Sequence, residues 1–118
     1  PGAQLHPLLD TRGVHLILRK GSRPDLDSYS AFFENDRKTP TGLAGYLTGL
    51  GVRHVYLAGI ATDYCVYYSA MDALSLGFAV HVIEDACRGI DVPAGSLQER
   101  LGEMRAAGAR LTRCSALE

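Results

Sequence analysis

The stretch His54-Val55-Tyr56-Leu57-Ala58-Gly59-Ile60 runs without a break into Ala61-Thr62-Asp63-Tyr64-Cys65-Val66, and this junction decides the fold. The first seven residues are apolar and rich in β-favouring side chains, which reads as a strand. From Asp63 to Leu76 the sequence reads as a helix, with Thr62 or Asp63 as the N-cap and Gly77 as the left-handed stop. A second apolar run, Phe78–Ile83 (FAVHVI), follows at once. Strand, helix and strand in this order form a crossover unit, and the two strands of such a unit pair in parallel.

The same alternation continues on both sides. Upstream, Val14–Arg19 (VHLILR) reads as a strand stopped by Lys20-Gly21. Thr41–Leu50 carries Leu43, Tyr46, Leu47 and Leu50 at helical spacing and ends at Gly51. Downstream, Ser96–Ala107 is a helix and Ala109–Thr112 a short last strand. The resulting order β-α-β-α-β-α-β predicts an α/β fold of three layers, α/β/α, with a parallel sheet between helices. Ligands of such sheets bind beyond the carboxyl ends of the strands. That places the site among Lys20–Phe33, Ile60–Cys65 and Asp85–Asp91. The interval Gly21–Pro40 is long for a connection in a compact domain, and loops of that length usually serve a site.

The chain has 118 residues, enough for one domain over residues 1–118 and not for two. Its net charge of -1 offers no basic surface, so neither nucleic acid nor an anionic membrane is expected as a partner. No apolar run approaches the roughly 20 residues of a membrane span. The start, Pro1-Gly2-Ala3-Gln4-Leu5-His6-Pro7, reads as neither a secretory nor a transit peptide. Three widely spaced cysteines, Cys65, Cys87 and Cys114, fit free thiols and a cytoplasmic setting better than a disulfide framework.

Cys65 follows a strand directly and falls in the first turn of a helix. A thiol there meets unpaired backbone N–H groups and the positive end of the helix dipole, which favour a thiolate. The same N–H groups suit the oxyanion of a tetrahedral intermediate. A buried packing cysteine is the plainer alternative. Lys20 closes a predicted strand and so shares the carboxyl edge of the sheet with Cys65. His15, His54 and His81 sit at or near the starts of their predicted strands, at the opposite edge, which makes a Cys-His dyad with Cys65 geometrically poor. Among the carboxylates, Asp63 reads as a helix cap, Asp85 as a loop holder, and Asp25 and Asp27 as turn residues, so no general base is evident. Tyr29, Phe32 and Phe33 suit either an apolar pocket for a flat ligand or the anchoring of the long loop. Arg88 suits an anion or a neighbouring carboxylate, and Cys87 and Cys114 read as small packing residues.

Gly59-Ile60-Ala61-Thr62-Asp63-Tyr64-Cys65-Val66 resembles the nucleophile segment of the isochorismatase-like cysteine hydrolases. Lys20-Gly21 with Pro24-Asp25 and Asp27-Ser28-Tyr29-Ser30-Ala31-Phe32-Phe33 is similar to the nicotinamidase (pyrazinamidase) branch of that family. Asp85-Ala86-Cys87-Arg88-Gly89-Ile90 and the opening residues also fit that branch. The resemblance implies an amide hydrolase of pyridine nucleotide salvage that converts nicotinamide to nicotinic acid and ammonia. In it Cys65 is the nucleophile, Lys20 the catalytic lysine, and the backbone N–H groups of Ala61 and Cys65 the oxyanion hole. The Ile60–Ala61 peptide is expected to be cis, and Tyr29, Ala61 and Phe32 to contact the substrate.

Family members begin with a strand bearing a catalytic aspartate, then a loop of Asp/His ligands for a divalent metal (zinc, iron or manganese). The resemblance places both upstream of Pro1, so this chain is expected to match a C-terminal portion, to hold no metal ligands itself and to be inactive alone. An exposed strand edge is then expected, met by the missing N-terminal segment or by a second copy in a homo-oligomer. Two other readings stay open: an amidase of the same family acting on a carbamoyl or ureido substrate, and a non-catalytic α/β binding fragment.

Overall fold

Val55, Val80 and Val82 are buried while their neighbours His54, Tyr56 and Ala79 are exposed, the alternation of a sheet with one covered face. The computed structural model describes residues 5, 7–10, 12–20, 28–33, 35–36 and 38–117. Within them the order is α1 (Leu43–Gly49), β1 (His54–Ile60), a π-helical turn (Thr62–Val66), α2 (Tyr67–Ser75), β2 (Ala79–Arg88), α3 (Ser96–Ala106), β3 (Arg110–Thr112) and a closing 3₁₀ turn (Cys114–Ala116). The sheet order is β1-β2-β3, and both pairings are parallel. The parallel α/β class expected from the sequence is the one observed.

The register explains where the strands end. His54 through Leu57 pair with Ala79 through Val82, and β2 then bulges before Gly59 meets Cys87 and Ile60 meets Arg88. Gly59 takes φ 124°, a conformation that side chains with a Cβ rarely adopt. The bulge carries β2 five residues past the predicted end at Ile83. The sequence hid this continuation because Glu84 and Asp85 interrupt the apolar run. β3 pairs with β2 only through Thr112, after which the Asp85 carboxylate accepts the Cys114 N–H at 2.9 Å and holds the chain end. Asp85 thus holds a loop, as expected. Cys114 itself is exposed rather than packed, whereas Cys87 is buried.

Helices α2 and α3 pack on the covered face and on each other. Ala70 and Ala73 of α2, Val82 of β2 and Met104 of α3 are fully buried together, with the Phe32 and Phe78 rings tilted against each other at 6.0 Å. Leu43, Ala44 and Leu47 bring α1 against the same cluster. The small alanines let α2 approach the sheet closely, so the larger Phe32 and Met104 fill the remaining gaps. Gly77, at φ 96°, ends α2 in the left-handed conformation read from the sequence.

Two further expectations fail. The predicted strand over Val14–Arg19 does not form: no ladder pairs with it among the described residues, and Val14, Leu16, Ile17 and Leu18 are exposed. Apolar, β-branched composition supplies only a preference, and a strand needs a neighbour to bond its backbone. Phe32, expected at the substrate pocket, is instead 2% exposed in the core, where its ring displaces more water than it could at a cleft rim.

The packing sets a measurable contrast. Met104→Ala, which empties a fully buried site, is expected to lower unfolding stability by about 2–5 kcal/mol. Tyr56→Ala, on the exposed sheet face, should change it by no more than about 0.5 kcal/mol. Urea unfolding of both variants, read at constant slope, checks the pair.

Candidate active site

The carboxyl ends of β1 and β2 lie side by side because their pairing is parallel, and the residues leaving them face one another. β1 exits through the Ile60–Ala61 peptide, which is cis. Ala61 is extended (φ -97°, ψ 145°), and its carbonyl accepts N–H groups from both Tyr64 and Val66 at 3.1 Å but not from Cys65 between them. That pattern widens the first turn from α to π, with Cys65 among its residues.

Lys20 reaches this turn from a distant part of the chain. Its Nζ donates to the carbonyls of Ser28 (2.8 Å) and Tyr29 (2.9 Å) and lies 3.6 Å from Cys65 Sγ. One ammonium therefore fixes the loop and places positive charge against the sulfur. The loop is docked independently onto α2: the Ala31 N–H donates to Ser69 Oγ at 2.8 Å, and Thr41 Oγ1 donates to the Ala31 carbonyl at 2.6 Å. Tyr29 then stands beside the turn that carries Cys65, its ring 5.6 Å from those of Tyr64 and Tyr68.

A cleft of about 780 Å³ opens over Cys65, lined on the turn side by Ile60, Ala61 and Tyr64 and by Tyr29 above. Its far wall is Arg88–Val92, the segment leaving β2, with Ile90 and Val92 more than half exposed. Sequence reasoning singled out Cys65, Lys20, Ala61 and Tyr29, and the structure gathers all four here. Tyr64 and Ile90 fall inside the segments Ile60–Cys65 and Asp85–Asp91 that the sequence placed at the site, without having been singled out as lining residues. Val92 lies just beyond them, and its place depends on where β2 ends.

Asp63 does not cap the helix. Its carboxylate, 1% exposed, accepts the N–H groups of Ile90 (3.0 Å) and Asp91 (2.8 Å), across 27 and 28 residues of sequence. Burial pushes this carboxyl up, but the two backbone donors, with Arg100 nearby, outweigh it and hold it below the usual carboxylate range. Arg88 lines the cleft and donates to the Cys87 carbonyl at 2.7 Å; among the described residues no carboxylate pairs with it. Asp25, Asp27 and His6 lie outside the described residues.

The histidines stay apart from this chemistry. His54 Nδ1 and His81 Nε2 meet at 3.3 Å at the amino ends of β1 and β2, with Tyr56 stacked on His81. Burial, with His54 and Arg110 beside it, holds His81 below the usual imidazole value. Among the described residues no group of three or more His, Cys, Asp or Glu could hold a metal ion.

The chain is thus a parallel α/β sheet with a cysteine in the turn after one strand and a lysine against its sulfur. An Isochorismatase domain matches residues 1–115, and the chain belongs to that family. It is 54% identical over 106 residues to a nicotinamidase of Acinetobacter baylyi, covering 90% of this chain and 49% of that protein. It is 44% identical over 110 residues to the Escherichia coli nicotinamidase, covering 93% and 52%. Among solved structures, the Acinetobacter baumanii nicotinamidase/pyrazinamidase superposes with a TM-score of 0.93 at 46% identity, over 98% of this chain and 56% of that one. An L. infantum structure in complex with nicotinate gives 0.90 at 42% identity, over 98% and 57%. The Pyrococcus horikoshii pyrazinamidase in complex with zinc gives 0.81 at 35%, over 96% and 57%. The chain thus spans about half the length of the curated relatives it matches.

The site makes two checks available. Cys65 is expected to react with iodoacetamide faster than Cys87, whose thiol burial pushes up, or Cys114, raised by desolvation and the neighbouring Asp85. Lys20→Met should slow the Cys65 reaction about tenfold, the effect of removing about 1.4 kcal/mol of charge stabilisation; peptide mass mapping over time reads both. For Asp63, a lowered folded value means stability that is present above the ordinary aspartate range and lost as pH falls through the folded value. Asp63→Asn should therefore be less stable than the parent by about 1–3 kcal/mol at pH 7. Urea titrations should show that gap closing in acid below the ordinary aspartate range.

Proposed function

We propose that this chain carries the nucleophile half of a nicotinamidase that hydrolyses nicotinamide, and its analogue pyrazinamide, to the acid and ammonia. The observation that carries the reading is Lys20 Nζ at 3.6 Å from Cys65 Sγ, at the floor of a cleft walled by Tyr29, Tyr64 and apolar side chains. A flat aromatic amide suits that cleft: the ring lies between Tyr29 and Ile90, and the carboxamide reaches the turn.

Cys65 Sγ adds to the amide carbon, and the carbonyl oxygen becomes an oxyanion held by the N–H groups of Ala61 and Cys65. The turn suits this because the Ala61 carbonyl passes over the Cys65 N–H. Lys20 balances negative charge first on sulfur and then on the adduct. The C–N bond breaks as the amide nitrogen takes a proton, ammonia leaves, and a thioester remains. Water adds to that thioester, the C–S bond breaks, and nicotinate and the thiol are regenerated. The carboxylate that moves these protons belongs to the upstream segment the family resemblance implies, as do the ligands of a divalent metal. The zinc in the Pyrococcus horikoshii structure supports a metal in the complete enzyme. No helix among the described residues is long and apolar enough to cross a membrane.

The test fuses this chain to the upstream half of the Acinetobacter baylyi relative and measures ammonia and nicotinate. The fusion should release the two in equal amounts, and Cys65→Ala within it should abolish release. The 118-residue chain alone should be slower by about 10²–10⁴-fold, the usual worth of general acid–base catalysis. Hydrolysis of carbamoyl or ureido substrates in place of nicotinamide would overturn the assignment.

A further inference from the structure

Asp63 is a fully buried carboxylate that takes no part in the chemistry above. Its Oδ1 and Oδ2 each accept one backbone N–H, from Ile90 and Asp91, the two residues at the centre of the cleft's far wall. Asp63 also belongs to the same π turn as Cys65. One short turn therefore carries the nucleophile and, two residues earlier, the group that ties down the opposite wall.

The wall is held from other sides as well. Asp91, at φ 59°, turns its own Oδ1 onto the N–H groups of Gly95 and Leu97, both at 3.0 Å, and so anchors the wall to the start of α3. Gly89 packs so closely on Leu97 that a Cβ there would fall 2.7 Å from Leu97 Cδ1. With its backbone fixed this way, the wall turns Ile90 and Val92 outward, 57% and 64% exposed, toward the cleft. Those exposed apolar side chains are what a flat ring would cover.

We propose that Asp63 is a positioning residue: it sets the width of the ring slot by fixing the Ile90–Val92 wall at one carboxylate's reach from the turn that bears Cys65. The inference rests on the amide-hydrolase reading of the cleft. It separates two properties of one turn, since the Lys20–Cys65 contact does not run through the wall. Asparagine has the same shape as aspartate but offers one acceptor oxygen, and its amide nitrogen would face the other backbone N–H donor to donor.

The test uses nicotinate as the probe, with affinity measured by titration calorimetry and Cys65 reactivity by iodoacetamide. Asp63→Asn should weaken nicotinate about tenfold or more while leaving the iodoacetamide rate within about threefold, because the small reagent needs no slot. A purely structural role would lower thermal stability without changing affinity per folded molecule. Amide exchange at Ile90 and Asp91 should be slow in the parent and fast in the variant, with exchange at Val82 unchanged. Should Asp63→Asn fail to fold, the double variant Ile90→Ala/Val92→Ala truncates only exposed side chains and should weaken nicotinate to a similar degree. Unchanged affinity in whichever variant folds overturns the proposal. Absence of nicotinate binding by the parent counts against the nicotinamide reading, and fast exchange at Ile90 and Asp91 in that same parent then overturns the clamp.

Discussion

Parallel pairing of β1 with β2 is the constraint on which the rest of this structure depends. Parallel strands point the same way, so the segments leaving them emerge at one edge of the sheet. Here those segments are the Cys65 turn after Ile60 and the wall after Arg88, brought opposite each other by the Ile60–Arg88 pairing. The bulge in β2 matters for the same reason. Without its extra residues β2 would end near Ile83, and Cys87 and Arg88 would not meet Gly59 and Ile60 at the end of the ladder.

Two charged groups convert that coincidence into a site. The Lys20 ammonium collects two loop carbonyls and the Cys65 sulfur, and the Asp63 carboxylate collects two backbone N–H groups of the wall. Both act on backbone groups, which would otherwise be costly to leave unpaired beside an apolar cleft. They also differ in setting. Asp63 is buried, where a full complement of donors is needed for its charge to persist, while Lys20 lies nearer to solvent and can serve chemistry that changes charge at the sulfur.

The covered face of the sheet is complete, and the exposed positions His54, Tyr56 and Ile60 form the other. The exposed apolar stretch from Val14 to Leu18 shows the same property in a different form. Its composition favours a strand, yet among the described residues nothing bonds to its backbone. The matched relatives are about twice as long as this chain, so in them the corresponding surfaces coexist with further residues that this sequence does not contain.

Much of the fold was legible in the chain. His54–Ile60 and Ser96–Ala106 were readable because each is bounded by turn-forming residues and keeps one period throughout. Cys65 was readable as a candidate because a thiol directly after a strand meets helix N–H groups whatever else surrounds it. Ala61 and Tyr29 followed from the motif, as did Lys20, whose other warrant, the end of a strand over Val14–Arg19, did not hold because that strand does not form. By itself, then, the sequence determined the strand–turn–helix order and the residue types able to do chemistry, since both rest on local backbone preferences. Only the tertiary structure decided the remainder. Phe32 went to the core, where its ring packs against Phe78, and Asp63 became a clamp because two N–H donors 27 and 28 residues away needed an acceptor. Ile90 and Val92 became the far wall because a bulge moved the end of β2. Each of these turns on a partner distant in sequence, and local pattern carries no information about which distant group will arrive.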